Sequence, residues 1–146
     1  MAKTETHVFR VSLSPKIYRD FEIISTKKLD DLAGTIVQCF GFDLDHAFGF
    51  YSLLKGNVLR SPVKYELFAD MGESDARSVK RSRIVDAFPE VGDKMTFLFD
   101  YGDEWRFLVE VIGRGSKEAG VSYPRRIKTV GEAPKQYPDP DDLDDE

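Results

Sequence analysis

The chain reads as an α+β domain: a mostly antiparallel, roll-like sheet with one main amphipathic helix and a second short helix packed on it. Three observations predict this. Apolar and polar residues alternate through "THVFRVSL" and again through "KIYRDFEII", as half-buried strands require. The apolar period then shifts to that of a helix between Leu29 and Phe40. Beyond His46, short apolar runs punctuated by Gly, Asn and Pro dominate. A single early helix followed mainly by strands favours helices segregated on an antiparallel sheet over a repeating βαβ order.

The first run places His7, Phe9, Val11 and Leu13 on one face and Val8, Arg10 and Ser12 on the other. His7 alternates inward with Phe9 and Val11, which predicts a satisfied core or edge histidine rather than a ligand. Ser14-Pro15 punctuates the run. The second run sets Ile17, Arg19, Phe21 and Ile23 against Tyr18, Asp20, Glu22 and Ile24, and is expected to pair with the first. Leu29, Leu32, Ala33, Ile36, Val37 and Phe40 then form a helical stripe. Asp30 and Asp31 suit the positive end of its dipole, and Gly41 stands where a C′ glycine belongs. Cys39 falls near its end, and no base is placed beside it by any motif.

"HAFGFYSLL" and "KYELFA" read as strands joined through Gly56-Asn57. Ile84, Val85 and Phe88 give a short helical stripe, stopped by Pro89 and Gly92. "KMTFLFDY" and "EWRFLVEVIG" are the strongest strands, apolar on both faces, which predicts a central, doubly covered position. "GRGSKEAG" reads as a loop: its glycines lack P-loop spacing. "YPRRIKTV" reads as a last strand.

The chain has 146 residues, of which 41% are hydrophobic, enough for one domain with its own core. That domain is expected over residues 1–137, with 138–146 as a disordered acidic tail. The last eight residues hold five Asp and one Glu; 26 acidic residues less these six leave 20 against 21 basic ones, so the body is near neutral. The tail's like charges carry too little apolar surface to offset ordering. No apolar run approaches the roughly 20 residues of a membrane span, and the start carries no secretory pattern. One cysteine permits no internal disulfide, so a reducing cytoplasm is the expected setting.

Functional signal concentrates in "DYGDEW", Asp100 to Trp105. Gly102-Asp103 between two alternating runs predicts a two-residue hairpin turn, with glycine at the position needing positive φ. Trp105, Phe107, Val109 and Val111 then share a face. Asp100, Asp103 and Glu104 could serve a hard cation, but their spacing matches no Ca²⁺ loop and no His or Cys lies nearby in sequence to suggest zinc. His46, flanked by Asp43 and Asp45, reads as a surface or cap residue. No metal, cofactor or catalytic residue is therefore assigned. Two basic segments form the other candidate: Arg77, Lys80, Arg81 and Arg83, then Arg125, Arg126 and Lys128 beside Tyr123. Aromatic rings among cations suit single-stranded nucleic acid.

"DYGDEW" ahead of an apolar strand resembles the D-[FY]-G-D-x-W signature of the plasmid Ri open-reading-frame-three family. "SPKIYRDFEI", "TKKLDDLAGTIVQCFGFDLDHAFGF" and "YPRRIKTVGEAPKQYPD" are similar, in order, to that family's opening strand, its helix with following histidine, and its closing Pro-rich segment. The likeness covers most of Phe9 to Pro138. The chain departs from it at Phe107, where members often carry His, and at Gly131-Glu132-Ala133-Pro134, where many carry a Cys and a Pro-Pro pair. The resemblance implies an α+β roll, linked in part to mobile elements, with a resolvase label on some members; the matched positions supply no nucleophilic Ser with an Arg cluster. Three functional readings follow. The first is a non-catalytic interaction domain, with an unidentified partner, recognising it through His46, Asp100, Tyr101, Asp103, Glu104, Trp105 and Tyr123. The second is a nucleic-acid binder using the two basic segments, with the tail competing in cis. The third is a divalent-metal hydrolase built on Asp100, Asp103, Glu104 and His46.

Overall fold

In the computed structural model, which describes residues 3–69 and 75–137, the opening alternation becomes β1 (Glu5–Ser14), paired antiparallel with β2 (Ile17–Ile24) from Thr6↔Ile24 to Ser14↔Ile17. Helix α1 (Leu29–Cys39) follows, buries Leu29, Leu32, Ala33, Ile36 and Val37, and ends at Gly41 with φ 73°. The Asp31 carboxylate accepts the Lys28 N–H at 3.1 Å and so completes its first turn. Strands β3 (Phe48–Tyr51) and β4 (Lys64–Glu66) form an antiparallel pair, with a short 3-10 helix, Val58–Arg60, on the connection. Strand β5 (Arg77–Ser78), the one-turn helix α2 (Ile84–Ala87), β6 (Lys94–Phe99), β7 (Trp105–Ser116) and β8 (Arg125–Val130) complete the described chain. The stretch 138–146, expected to be an acidic tail, lies outside the described residues.

The eight strands form one sheet in the order β5-β4-β3-β6-β7-β1-β2-β8, so the α+β expectation holds. All pairings are antiparallel except β4 with β5, a short parallel edge that the sequence did not announce. The sheet curls around α1. The Leu29 N–H donates to the Ser82 carbonyl at 2.9 Å and the Ile84 N–H to the Lys27 carbonyl at 2.8 Å, with Lys28 bridging Arg83. These bonds draw the chain after β5, on one edge, toward the turn leaving β2, near the other. Inside lies a ring-rich core of Phe9, Phe21, Phe40, Phe48, Phe50, Phe88, Phe97, Phe99 and Phe107 with the helix stripe.

Two expectations for the central strands need correction. Strand β6 is covered on both faces from Met95 to Phe99, but β7 is not: Phe107, Val109 and Val111 are buried while Leu108 and Ile112 are 37% and 38% exposed. The outer face carries only a small cover, in which Tyr51, Val58 and Leu98 pack together. Nor is "GRGSKEAG" a loop throughout. Strand β7 continues to Ser116 because β1 offers it an edge, pairing Thr6↔Gly115 and Glu5↔Ser116. Gly115 fits there because a Cβ would come within 3.0 Å of Thr6 Oγ1 and 3.1 Å of Glu22 Oε2.

His7 meets its expectation. It is fully buried, with Nε2 2.8 Å from the Phe88 carbonyl and Nδ1 2.7 Å from Ser25 Oγ. A carbonyl only accepts, so Nε2 carries the proton and Nδ1 accepts from the Ser25 hydroxyl. Burial holds the pKa below the ordinary 6.5, against the pull of the Phe88 carbonyl. The unfolded chain therefore binds a proton that the folded chain refuses. Stability is full above pH 6.5 and falls as pH drops toward the folded value, by up to about 1.4 kcal/mol per unit. Urea titrations across that range are expected to show this slope in the native chain and to lose it in His7→Gln.

Candidate functional site

The acidic hairpin joins β6 to β7 through five residues, Asp100 to Glu104, because Phe99 pairs with Trp105. The expected two-residue turn at Gly102-Asp103 is not formed. The left-handed positions are Asp100, φ 64°, and Glu104, φ 51°, rather than Gly102. Asp tolerates this region when its carboxylate replaces lost backbone bonds. Here Asp100 Oδ1 accepts the Gly102 N–H at 3.1 Å and the Asp103 N–H at 3.3 Å. The Asp100 N–H donates to the Ala47 carbonyl at 2.9 Å, tying the hairpin to the chain entering β3.

From this turn the side chains leave in three directions. Tyr101 goes to the outer face, where its hydroxyl donates to Tyr51 Oη at 2.8 Å while Tyr51 donates to Glu66. Burial raises both phenols above their ordinary value. Glu104 pairs with Arg106 at 3.0 Å. Trp105 packs inward against Phe42, ring centroids 4.8 Å apart, with its Nε1–H buried and without an acceptor among the described residues. The set Asp100, Asp103, Glu104 and His46 is thus split, since Glu104 is committed to Arg106. Among the described residues, no group of three or more His, Cys, Asp or Glu could hold a metal ion.

His46 does reach the hairpin. Its Nε2 lies 3.5 Å from Asp100 Oδ2 and 3.7 Å from Asp45 Oδ1, and its ring stands edge-on to Phe99. A residue not foreseen completes the group. Tyr137 donates to Asp45 Oδ2 at 2.8 Å and accepts from His46 Nε2–H at 2.6 Å. Partial burial of the hydroxyl, its bond to Asp45, and the nearby carboxylates of Asp45, Asp100 and Asp103 push its pKa up to about 12. Gln136 straps the segment down: Oε1 accepts the Asp43 N–H at 2.8 Å, while Nε2 donates to the Asp43 carbonyl and Asp45 Oδ1, both at 3.1 Å. The only signal in the sequence for this strap is the Gln-Tyr-Pro that follows the last strand.

Tyr123 does not belong to the group. It precedes β8, and the register from Arg125 through Glu22 and Val8 leads to Gly113, eight residues along β7 from Trp105. That is roughly 26 Å along the strands. The basic residues fall on two separate stretches of the sheet's edges. Arg77 lies on β5 and Arg125 to Lys128 on β8, the two edge strands. Arg83 pairs with Asp86 at 2.9 Å and Arg125 with Glu22 at 2.8 Å. Arg77 lies over the Tyr65 ring and Lys128 over that of Tyr18, while Arg126 lines a hollow with Cys39. Lys80 and Arg81 are exposed.

The arrangement is a curled antiparallel sheet wrapped on one helix, with a strapped polar cluster where the β6–β7 hairpin meets the chain entering β3. Residues 5–139 match the family described as plasmid pRiA4b ORF-3-like protein, and the chain belongs to it. Its fold is similar to the crystal structure of a protein of unknown function from Methanosarcina mazei Go1, with a TM-score of 0.71, 19% identity, and coverage of 90% of this chain and 72% of that one. No curated protein matches the chain. Among the described residues, no helix is long and apolar enough to cross a membrane.

Proposed function

We propose that the chain is a non-catalytic interaction domain of the cytoplasm, with a recognition surface at the acidic hairpin that takes a cationic group from a protein partner. One observation carries this reading: the carboxylates of Asp45 and Asp100 converge to 3.7 Å and 3.5 Å from His46 Nε2, which gathers two acids at one half-exposed place. A lysine or arginine of a partner would meet both acids, with Tyr137 as aromatic rim. The test is the anisotropy of a labelled oligo-arginine peptide at low and high salt. Binding is expected to weaken with salt and to fall about tenfold in the Asp45→Asn, Asp100→Asn double variant, a loss of about 1.4 kcal/mol. The amide oxygen introduced by Asp100→Asn can still accept the turn's N–H groups, and the variant keeps the acids of 139–146, so the difference reports the site alone. Equal binding by both proteins would refute the reading.

The nucleic-acid reading, with its link to mobile elements, draws on Lys80, Arg81 and Arg126, which are exposed. The pairing of Arg83 with Asp86 and of Arg125 with Glu22 weakens it. Labelled single- and double-stranded oligonucleotides, tried with the full chain and with one ending at Pro138, test it: salt-dependent binding that strengthens on shortening supports it, and no binding at low salt removes it.

A further inference from the structure

At the end of the sheet far from the acidic hairpin, a cleft of about 360 Å³ opens between the flank of α1 and the Tyr123-Pro124 segment. Thr35, Gln38 and Pro124 also line a second hollow of about 270 Å³, which adjoins the first. The floor is bare helix: a Cβ at Gly34 would meet nothing within 4 Å. The other wall is Tyr123, whose hydroxyl accepts the Glu118 N–H at 3.1 Å and whose ring lies 5.6 Å from the Arg125 guanidinium.

The chemistry changes along the cleft. Asp30 and Asp31 stand at one end, Gln38 in the middle, and Arg125 and Arg126 at the other. Behind Arg126 lies Arg19, only 5% exposed, which donates to the carbonyls of Cys39, Tyr18 and Val130 at 3.1, 3.0 and 2.9 Å. Burial and the charge of Arg126 both hold its pKa below the ordinary value. Arg125 at this end is paired with Glu22 at 2.8 Å, so the Arg126 guanidinium, with the buried one of Arg19 behind it, is the group to meet an arriving anion. From Asp31 to Gln38 the helix rises about 10 Å, the scale of one nucleotide.

We propose that this cleft binds a nucleotide, with its base between the Gly34 floor and the Tyr123 wall and its phosphate at Arg126. An aromatic wall suits a flat ring of any base. The Asp31 carboxylate and Gln38 amide suit its amino and ring-nitrogen edge, and guanidinium groups suit phosphate. The inference does not rest on recognition at the acidic hairpin, which lies at the other end of the sheet. The ligand could be a free mononucleotide or one unit of a single strand.

The experiment titrates the full chain with AMP, GMP, CMP and UMP, followed by the amide NMR signals of Gly34, Gln38 and Arg126. Adenosine, inorganic phosphate and a phosphorylated trinucleotide run beside them. At least one mononucleotide is expected to bind saturably, about tenfold more tightly than adenosine or phosphate alone. Gly34→Leu, which fills the floor without a clash at Cβ, is expected to abolish binding. Arg126→Gln is expected to weaken it about tenfold, and cooperative thermal unfolding checks that both variants are folded. Tighter binding of the trinucleotide supports the proposal and makes a single strand the source; equal or weaker binding supports it and makes a free nucleotide the source. No binding by any mononucleotide, phosphate binding as tightly as nucleotide, or binding that survives Gly34→Leu overturns it.

Discussion

Phe97→Ala is expected to lower the unfolding free energy by about 3–5 kcal/mol. Phe97 is fully buried on β6, a strand near the centre of the sheet. Its ring lies 4.9 Å from that of Phe50, 5.6 Å from Phe48, 5.7 Å from Phe107 and 6.3 Å from Phe99. These four partners sit on three different strands, so no single side chain can relax into the space left by the ring. A loss of that size includes the lost transfer of the ring from water and the residual cavity. Urea denaturation at neutral pH measures it. Phe97→Leu, which keeps most of the volume, is expected to cost less than half as much; equal losses would show that ring shape rather than filled volume holds the core.

Gly131→Ala is expected to cost about 3 kcal/mol and to disturb the site as well as the fold. Gly131 follows β8 with φ 78°, a region where a side chain is strained. Space is the larger obstacle. A Cβ there would lie 2.2 Å from the Lys16 carbonyl oxygen and 3.0 Å from the Ile17 Cα, both backbone atoms that cannot swing aside. Relief requires the end of β8 to part from the start of β2, where Val130 pairs with Tyr18. The strap carrying Gln136 and Tyr137 begins just beyond. The His46 imidazole signals are therefore expected to move toward those of free histidine as its bond to Tyr137 loosens. Lost stability with unmoved His46 signals would mean that Gln136 alone fixes the strap; unchanged stability would mean the turn yields more easily than its geometry implies.

The parts of this molecule that were legible in the sequence are those whose information is local. The alternation of His7, Phe9 and Val11 and the stripe from Leu29 to Phe40 each depend on one element burying one face, and both appear as expected. The turn was misread because glycine is the usual occupant of left-handed backbone, whereas here Asp100 takes that conformation by accepting two backbone N–H groups itself. The site was half legible. His46 and Asp100 were named, but Tyr137 was not, and Tyr123 was placed with them although the sheet carries it to the far end. Nothing in the spacing of "YPRRIKTVGEAPKQY" says which of its two tyrosines returns to the helix–strand loop; that depends on the β2–β8 register and on Gln136 finding Asp43. Likewise, the basic segments looked available in one dimension because Glu22, the partner of Arg125, lies 103 residues away along the chain.

The position of β1 inside the sheet has a consequence for synthesis. Its partners are β2, which follows at once, and β7, which pairs Glu5 with Ser116. On a ribosome, β1, β2 and α1 emerge with one long edge of β1 open until β7 is made, roughly 90 residues and about 5–20 s later at ordinary elongation rates. Exposed strand edges are templates for pairing with other chains. That interval, rather than any weakness of the finished fold, is when a chaperone or a neighbouring nascent chain has its best access to this protein.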